Sequence, residues 1–151
     1  MNYLRWRNYH MKNSALTLIR SVLAASVITT SLTFSFTAPS LAQAHTTVRF
    51  SAGKDNTFIQ SSITGNQYHD YILNARAGQS LSVSLITKGA AYFNILSPGS
   101  TDRAIYNSSI SGNDGNVRLS QSGNYTVRVY LKGGSKDRNR TVPFELSVGI
   151  L

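Results

Sequence analysis

Ser80-Leu81-Ser82-Val83-Ser84-Leu85 alternates hydroxyl and aliphatic residues without a break. Successive side chains of an extended strand leave on opposite faces, so Leu81, Val83 and Leu85 point one way and the three serines the other. That is a strand with one face in a core and one in water. Working outward, Tyr125, Val127, Val129 and Leu131 alternate with Thr126, Arg128 and Tyr130, and Phe144, Leu146, Val148 and Ile150 repeat the pattern near the C-terminus. Weaker strand candidates cover 46–50, 57–63, 68–75, 91–96, 103–107 and 116–119. Between them stand Ala77-Gly78, Pro98-Gly99, Gly112-Asn113, Asp114-Gly115, Ser122-Gly123 and Gly133-Gly134, which tolerate positive φ or preset a turn. No segment past Ala44 keeps an i, i+3, i+4, i+7 stripe. Eight or nine short strands at this spacing predict an all-β, antiparallel β-sandwich.

The chain has 151 residues, 41% hydrophobic and 14% charged, which suits one globular domain. Its beginning reads differently. Arg5, Arg7, Lys12 and Arg20 precede an uncharged, largely apolar run over 22–36, followed by Pro39 and Ala42-Gln43-Ala44. Basic region, apolar region and small-x-small site is the order of a secretory signal. Ser26, Thr29, Thr30, Ser31, Thr33 and Ser35 dilute the run below the roughly 18 to 20 apolar residues a membrane span requires. The expected division is therefore a signal peptide over 1–44 and a sandwich over 45–151, in the periplasm or secreted, with no membrane contact after cleavage. Met11 opens a more conventional signal, which leaves the start open between Met1 and Met11.

Formal net charge is +9, from 15 Lys and Arg against six Asp and Glu. Four of those cations belong to the leader, so the mature part carries 11 against six, or +5. A positive balance favours a polyanion, an anionic surface or an acidic cleft as partner. Export and the lack of a nucleic-acid-binding motif argue against nucleic acid. With no cysteine there is neither a disulfide scaffold nor a thiolate metal site.

Catalysis needs a nucleophile, a base and an electrophile brought together. The mature part offers two histidines and six carboxylates, and no catalytic set, cofactor or metal is expected. His69 and Asp70 are adjacent on a predicted strand and face opposite ways, so they form no dyad, and His69 reads as a surface residue. Asn113, Asp114 and Asn116 around Gly115 offer oxygen ligands, but a calcium loop needs a longer alternating series ending in glutamate, and an Asx-rich turn explains them without metal. The run over 132–140 carries Lys132, Lys136, Arg138 and Arg140. It reads as an exposed hairpin loop: either a solvated surface or a mobile cationic arm whose arginine forks pair with carboxylates or phosphates.

Ser122-Gly123-Asn124-Tyr125, followed by Thr126-Val127-Arg128-Val129-Tyr130, resembles the Ser-Gly-x-Tyr loop and following strand of the periplasmic inhibitors of invertebrate-type and goose-type lysozymes. Tyr71 to Leu73 leading to Ala77-Gly78-Gln79, Tyr92-Phe93-Asn94-Ile95-Leu96-Ser97-Pro98-Gly99-Ser100 and the closing Val148-Gly149-Ile150 agree in order and spacing. The similarity spans residues 48–150. It implies a β-sandwich, without a reaction of its own, whose Ser-Gly-x-Tyr loop enters the substrate cleft of an i-type or g-type lysozyme. Ser122, Gly123 and Tyr125 would then occupy positions meant for sugar, and Arg128, Arg138 and Arg140 would pair with the cleft's carboxylates. Where that family carries an arginine-rich segment after the strand, this chain has Lys132-Gly133-Gly134-Ser135.

Alternation alone puts Tyr125 on the face of Val127 and Val129, as a core residue in a strand entered from a turn. Arg128 and Tyr130 share the opposite, exposed face and are independent contact candidates. The alternative function is a non-catalytic glycan-binding module like those appended to secreted proteases, which would show a face lined with tyrosines such as Tyr92 and Tyr106. Whether the domain is a monomer or a homodimer is left open by the sequence.

Overall fold

A computed structural model describes residues 43–151. The leader expected over 1–44 lies outside these residues except for its last two, Gln43 and Ala44. Nine strands are present among the described residues: β1 (Gln43–Thr47), β2 (Asn56–Thr64), β3 (Tyr68–Ala75), β4 (Ser80–Thr87), β5 (Ala91–Leu96), β6 (Ala104–Asn107), β7 (Asp114–Arg118), β8 (Gly123–Leu131) and β9 (Thr141–Ile150). Two single helical turns, α1 (Ser108–Ser111) and α2 (Gly134–Asp137), sit in connections. Neither contradicts the lack of helical periodicity, because a four-residue turn has no face to stripe.

The strands form two sheets, one in the order β1-β3-β8-β5-β6 and the other β2-β9-β4-β7. Every pairing is antiparallel except β1 with β3, which is parallel. The alternation that predicted the strands also fills the space between the sheets. Tyr71, Leu73, Phe93, Ile95, Tyr125, Val127 and Val129 come from the first sheet; Ile63, Leu81, Val83, Leu146 and Val148 come from the second, and all are buried. Each such side chain contributes about 1.5–3 kcal/mol by leaving water.

Three expectations need correction. The segment 132–140 is not a hairpin loop, since β8 lies in the five-stranded sheet and β9 in the four-stranded one. It crosses between layers, as does the turn at Ser122. Period-two alternation reports that a strand has a buried face but not which sheet it joins. Asp114-Gly115 is strand rather than turn. Gly115 is buried beneath the ring of Tyr106, where an added Cβ would stand 2.8 Å from the ring, so this glycine serves close packing. His69 is half-buried on the inward-facing register, its ring edge-on to Tyr71 and Phe144 at 6.4 and 6.3 Å.

Candidate functional site

The outer face of the five-stranded sheet is built in rows by cross-strand register. Gln43, Tyr68, Tyr130 and Tyr92 stand side by side on β1, β3, β8 and β5. The next row along is His45, Asp70, Arg128, Asn94 and Asn107. A strand brings directly opposed side chains within contact distance. The Tyr92 and Tyr130 rings accordingly lie 6.3 Å apart, and the Tyr130 hydroxyl is 3.4 Å from the side-chain oxygens of both Asn94 and Asn107.

The centre of this face is an ion pair. Asp70 is 3% exposed although it points outward, because Arg128 covers it. Arg128 Nε donates to Asp70 Oδ1 at 2.7 Å and Nη2 to Oδ2 at 2.8 Å, a bidentate fork. Its third nitrogen, Nη1, donates to the Thr101 carbonyl at 3.0 Å, and the guanidinium lies 4.2 Å from the Tyr68 ring centroid. These hydrogen bonds to Asp70 raise the guanidinium pKa above its already high value. All three directions in which Arg128 donates are thus occupied within the chain.

The two ends of β8 carry different loops. Its nine residues separate them by about 26 Å at ~3.3 Å per residue. At the N-terminal end, Ser122 Oγ accepts from the Ala77 amide at 2.9 Å, and the Gly78 amide donates to the Leu119 carbonyl at 2.8 Å. Gly123 has φ +145° and lies against Pro98, where a Cβ would come within 2.9 Å of the proline ring. Ser122 is exposed, but its turn is braced by its neighbours. Arg76, Arg103 and Arg118 surround this end with Asp102 as the nearby acid.

At the other end, the loops 65–67, 88–90 and 132–140 are tied together. The Gly65 amide donates to the Arg140 carbonyl at 3.1 Å, and the Lys132 amide to the Ala90 carbonyl at 3.1 Å. Inside 132–140, the amides of Asp137, Arg138 and Arg140 donate to the carbonyls of Gly133, Gly134 and Ser135. The cationic segment, which the sequence left open between a solvated loop and a mobile arm, is folded into a hydrogen-bonded knuckle. Lys88, Lys132, Lys136, Arg138 and Arg140 are all exposed there, against Asp137 alone. This is the densest positive charge among the described residues, and it borders the tyrosine row through Tyr130.

The residues predicted from sequence thus fall into three places. Arg138 and Arg140 lie on the knuckle, with Tyr130 beside it. Arg128 lies mid-face, already paired. Ser122 and Gly123 lie at the far end. Tyr125 is fully buried, with its hydroxyl donating to the Gln121 carbonyl at 2.8 Å, so it is a core residue that fixes the turn from inside. Tyr106 also faces inward, stacked on Phe93 at 5.5 Å, and does not line the outer face. Missed altogether were Asp70 as the partner of Arg128, Tyr68, and Lys88. The first was visible only as an acid at an outward position of a strand, and nothing local says which strand lies opposite.

Fold and surface together define a β-sandwich domain with one basic end. Comparison with solved structures narrows that class. The periplasmic g-type lysozyme inhibitor PliG of Aeromonas hydrophila matches 73% of this chain and 100% of its own length, at 31% identity and a TM-score of 0.67. PliG of Salmonella Typhimurium matches at 26% identity and a TM-score of 0.60, over 72% of this chain and 98% of its own. The chain belongs to the PliG family of periplasmic inhibitors of g-type lysozyme, a non-enzymatic family. A pre-peptidase C-terminal domain of Bacillus anthracis collagenase shares the fold at 17% identity and a TM-score of 0.53, over 74% of this chain and 98% of its own. No family model and no curated protein sequence matches.

Proposed function

We propose that the chain, exported and cut to begin at His45, inhibits a g-type lysozyme by seating its basic end in the enzyme's substrate cleft. The family supports the inhibitory role, and both inhibitors matched above act on g-type enzymes, which favours that class over the i-type. The observation that carries the choice of surface is the basic end: five exposed cations against one acid, four of them on the hydrogen-bonded knuckle 132–140 and the fifth, Lys88, on the adjoining loop. A glycoside hydrolase works with carboxyl groups in an open cleft. Arginine forks and lysine ammoniums complement such a cleft, and their braced backbone spares the cost of ordering the loop, leaving only that of the side chains. Tyr130, Tyr92 and Tyr68 extend the contact as rigid aromatic area. The Ser-Gly-x-Tyr turn is the second reading, favoured by the exposed Ser122 and the three arginines around it.

Lysis of a cell-wall suspension by goose-type, invertebrate-type and chicken-type lysozymes separates these readings. The 45–151 protein is expected to suppress the goose-type enzyme selectively. Replacing Lys136, Arg138 and Arg140 together by alanine is expected to weaken inhibition at least tenfold, as truncation of interface anchors does, while Ser122→Ala stays within about twofold. The reverse pattern would move the contact to the Ser122 turn. Full lysis by all three enzymes at micromolar wild-type protein would overturn the inhibitor function itself.

A further inference from the structure

The outer face of the other sheet carries a feature that lysozyme inhibition at the basic end leaves unused. A groove of about 400 Å³ runs across β2, β9, β4 and β7, lined by Asp55, Asn56, Ser82, Ser84, Asp114, Asn116 and Ser147. The backbone of Gly115 and Gly149 forms part of its floor. The serine–aliphatic alternation of β4 creates this surface, since Ser80, Ser82 and Ser84 all face away from the core. Register then sets Ser82 between Asn116 and Gly149, and Ser84 between Asp114 and Ser147.

The lining is ordered from within. Asn116 Nδ2 donates to Ser82 Oγ at 2.8 Å, and Ser84 Oγ donates to Asp114 Oδ1. Those two bonds leave Asn116 Oδ1 and Asp114 Oδ2 as the remaining groups of their side chains, and Asn56 adds an amide to the lining. Beside the groove Phe58, opposite Ser147 in register, is 65% exposed. An exposed phenylalanine at the rim of a polar groove supplies a flat apolar wall.

We propose that this groove binds an uncharged saccharide. Its lining contains two side-chain carboxylates, Asp55 and Asp114, and no cationic side chain, so it favours an anionic partner less than the basic end does. A simple cation would use the carboxylates but leave the amide and hydroxyl donors idle. Sugar hydroxyls both donate and accept, matching amides, hydroxyls and carboxylate oxygens together, and the C–H face of a pyranose packs on a ring such as Phe58. The volume falls within the range of small-ligand clefts. The domain would then hold two ligands on separate surfaces, glycan at the groove and lysozyme at the basic end.

The test is titration of the isotopically labelled 45–151 protein with N,N′,N″-triacetylchitotriose into the millimolar range, followed by amide chemical shifts. Shifts confined to β2, β4, β7 and β9 are expected, with binding weakened about tenfold in Phe58→Ala and in Asn116→Ala, both exposed positions whose truncation spares the core. Inhibition of goose-type lysozyme by these variants is expected to equal wild type, so failure of the groove and failure of the basic end register separately. No saturable shift, shifts clustering on Tyr68, Tyr92 and Tyr130, or binding only by the deacetylated amine form would each overturn the proposal.

Discussion

Arg128 is the residue whose role changes most between chain and fold. Outward-facing and cationic, it resembles a contact residue; in place, its fork neutralises the buried Asp70. Removing one partner of such a pair leaves an uncompensated charge in a dry site. Arg128→Ala is therefore expected to cost about 3–5 kcal/mol in urea unfolding, and Asp70→Asn in the same background to recover part of it. A loss below about 1 kcal/mol would mean that the pair behaves as a solvent-screened surface contact. Tyr125 carries a related lesson. Truncating a fully buried tyrosine opens a cavity worth about 3–5 kcal/mol, so inhibition lost in Tyr125→Ala would report unfolding and not contact.

Among the elements, β3 joins core and outer face within one short run. Its inward register holds His69, Tyr71 and Leu73, and its outward register holds Tyr68 and Asp70. Burial against Tyr71 and Phe144 pushes the His69 pKa below its usual 6.5, with the neighbouring Asp70 charge opposing this in part. The folded state thus resists protonation that the unfolded chain accepts. Below pH 6.5 the unfolded state binds more protons, so stability that is present at neutral pH is lost as pH falls. The melting temperature is expected to drop between pH 7 and 5, and to drop less in His69→Gln. Equal slopes in both proteins would assign the dependence to other groups. The knuckle with α2 shows the converse of β3: its sequence leaves mobility open, yet its own backbone hydrogen bonds and those to loop 65–67 hold it.

At the scale of the whole molecule, charge is distributed with a sense of direction. The five cations around β8's C-terminal end lie away from the acidic groove on the other sheet. Exposed charges act through a screening length of about 10 Å at 0.1 M salt and ~3 Å at 1 M. Association with an acidic cleft is therefore expected to slow roughly tenfold or more between low salt and about 0.5 M, with dissociation changed far less. Stopped-flow binding to goose-type lysozyme measures both rates. An association rate indifferent to salt would detach inhibition from the basic end.

The strands themselves were legible because burying one face of a pleated strand requires period-two alternation, and β4, β8 and β9 display it within a few residues. Local order placed Arg128 and Tyr130 outward and Lys132 to Arg140 as a basic connection, but it left Tyr125 open between the core face it shares with Val127 and Val129 and the contact role that the motif resemblance implies. It did not determine which strands become neighbours, since backbone pairing is the same for any two strands and carries no residue code. Sheet membership, the crossing of 132–140 between layers, the Asp70–Arg128 pair, the tyrosine row and the groove floored by Gly115 and Gly149 all depend on that choice. Tertiary packing decided them by the one arrangement that closes both apolar faces on a single core.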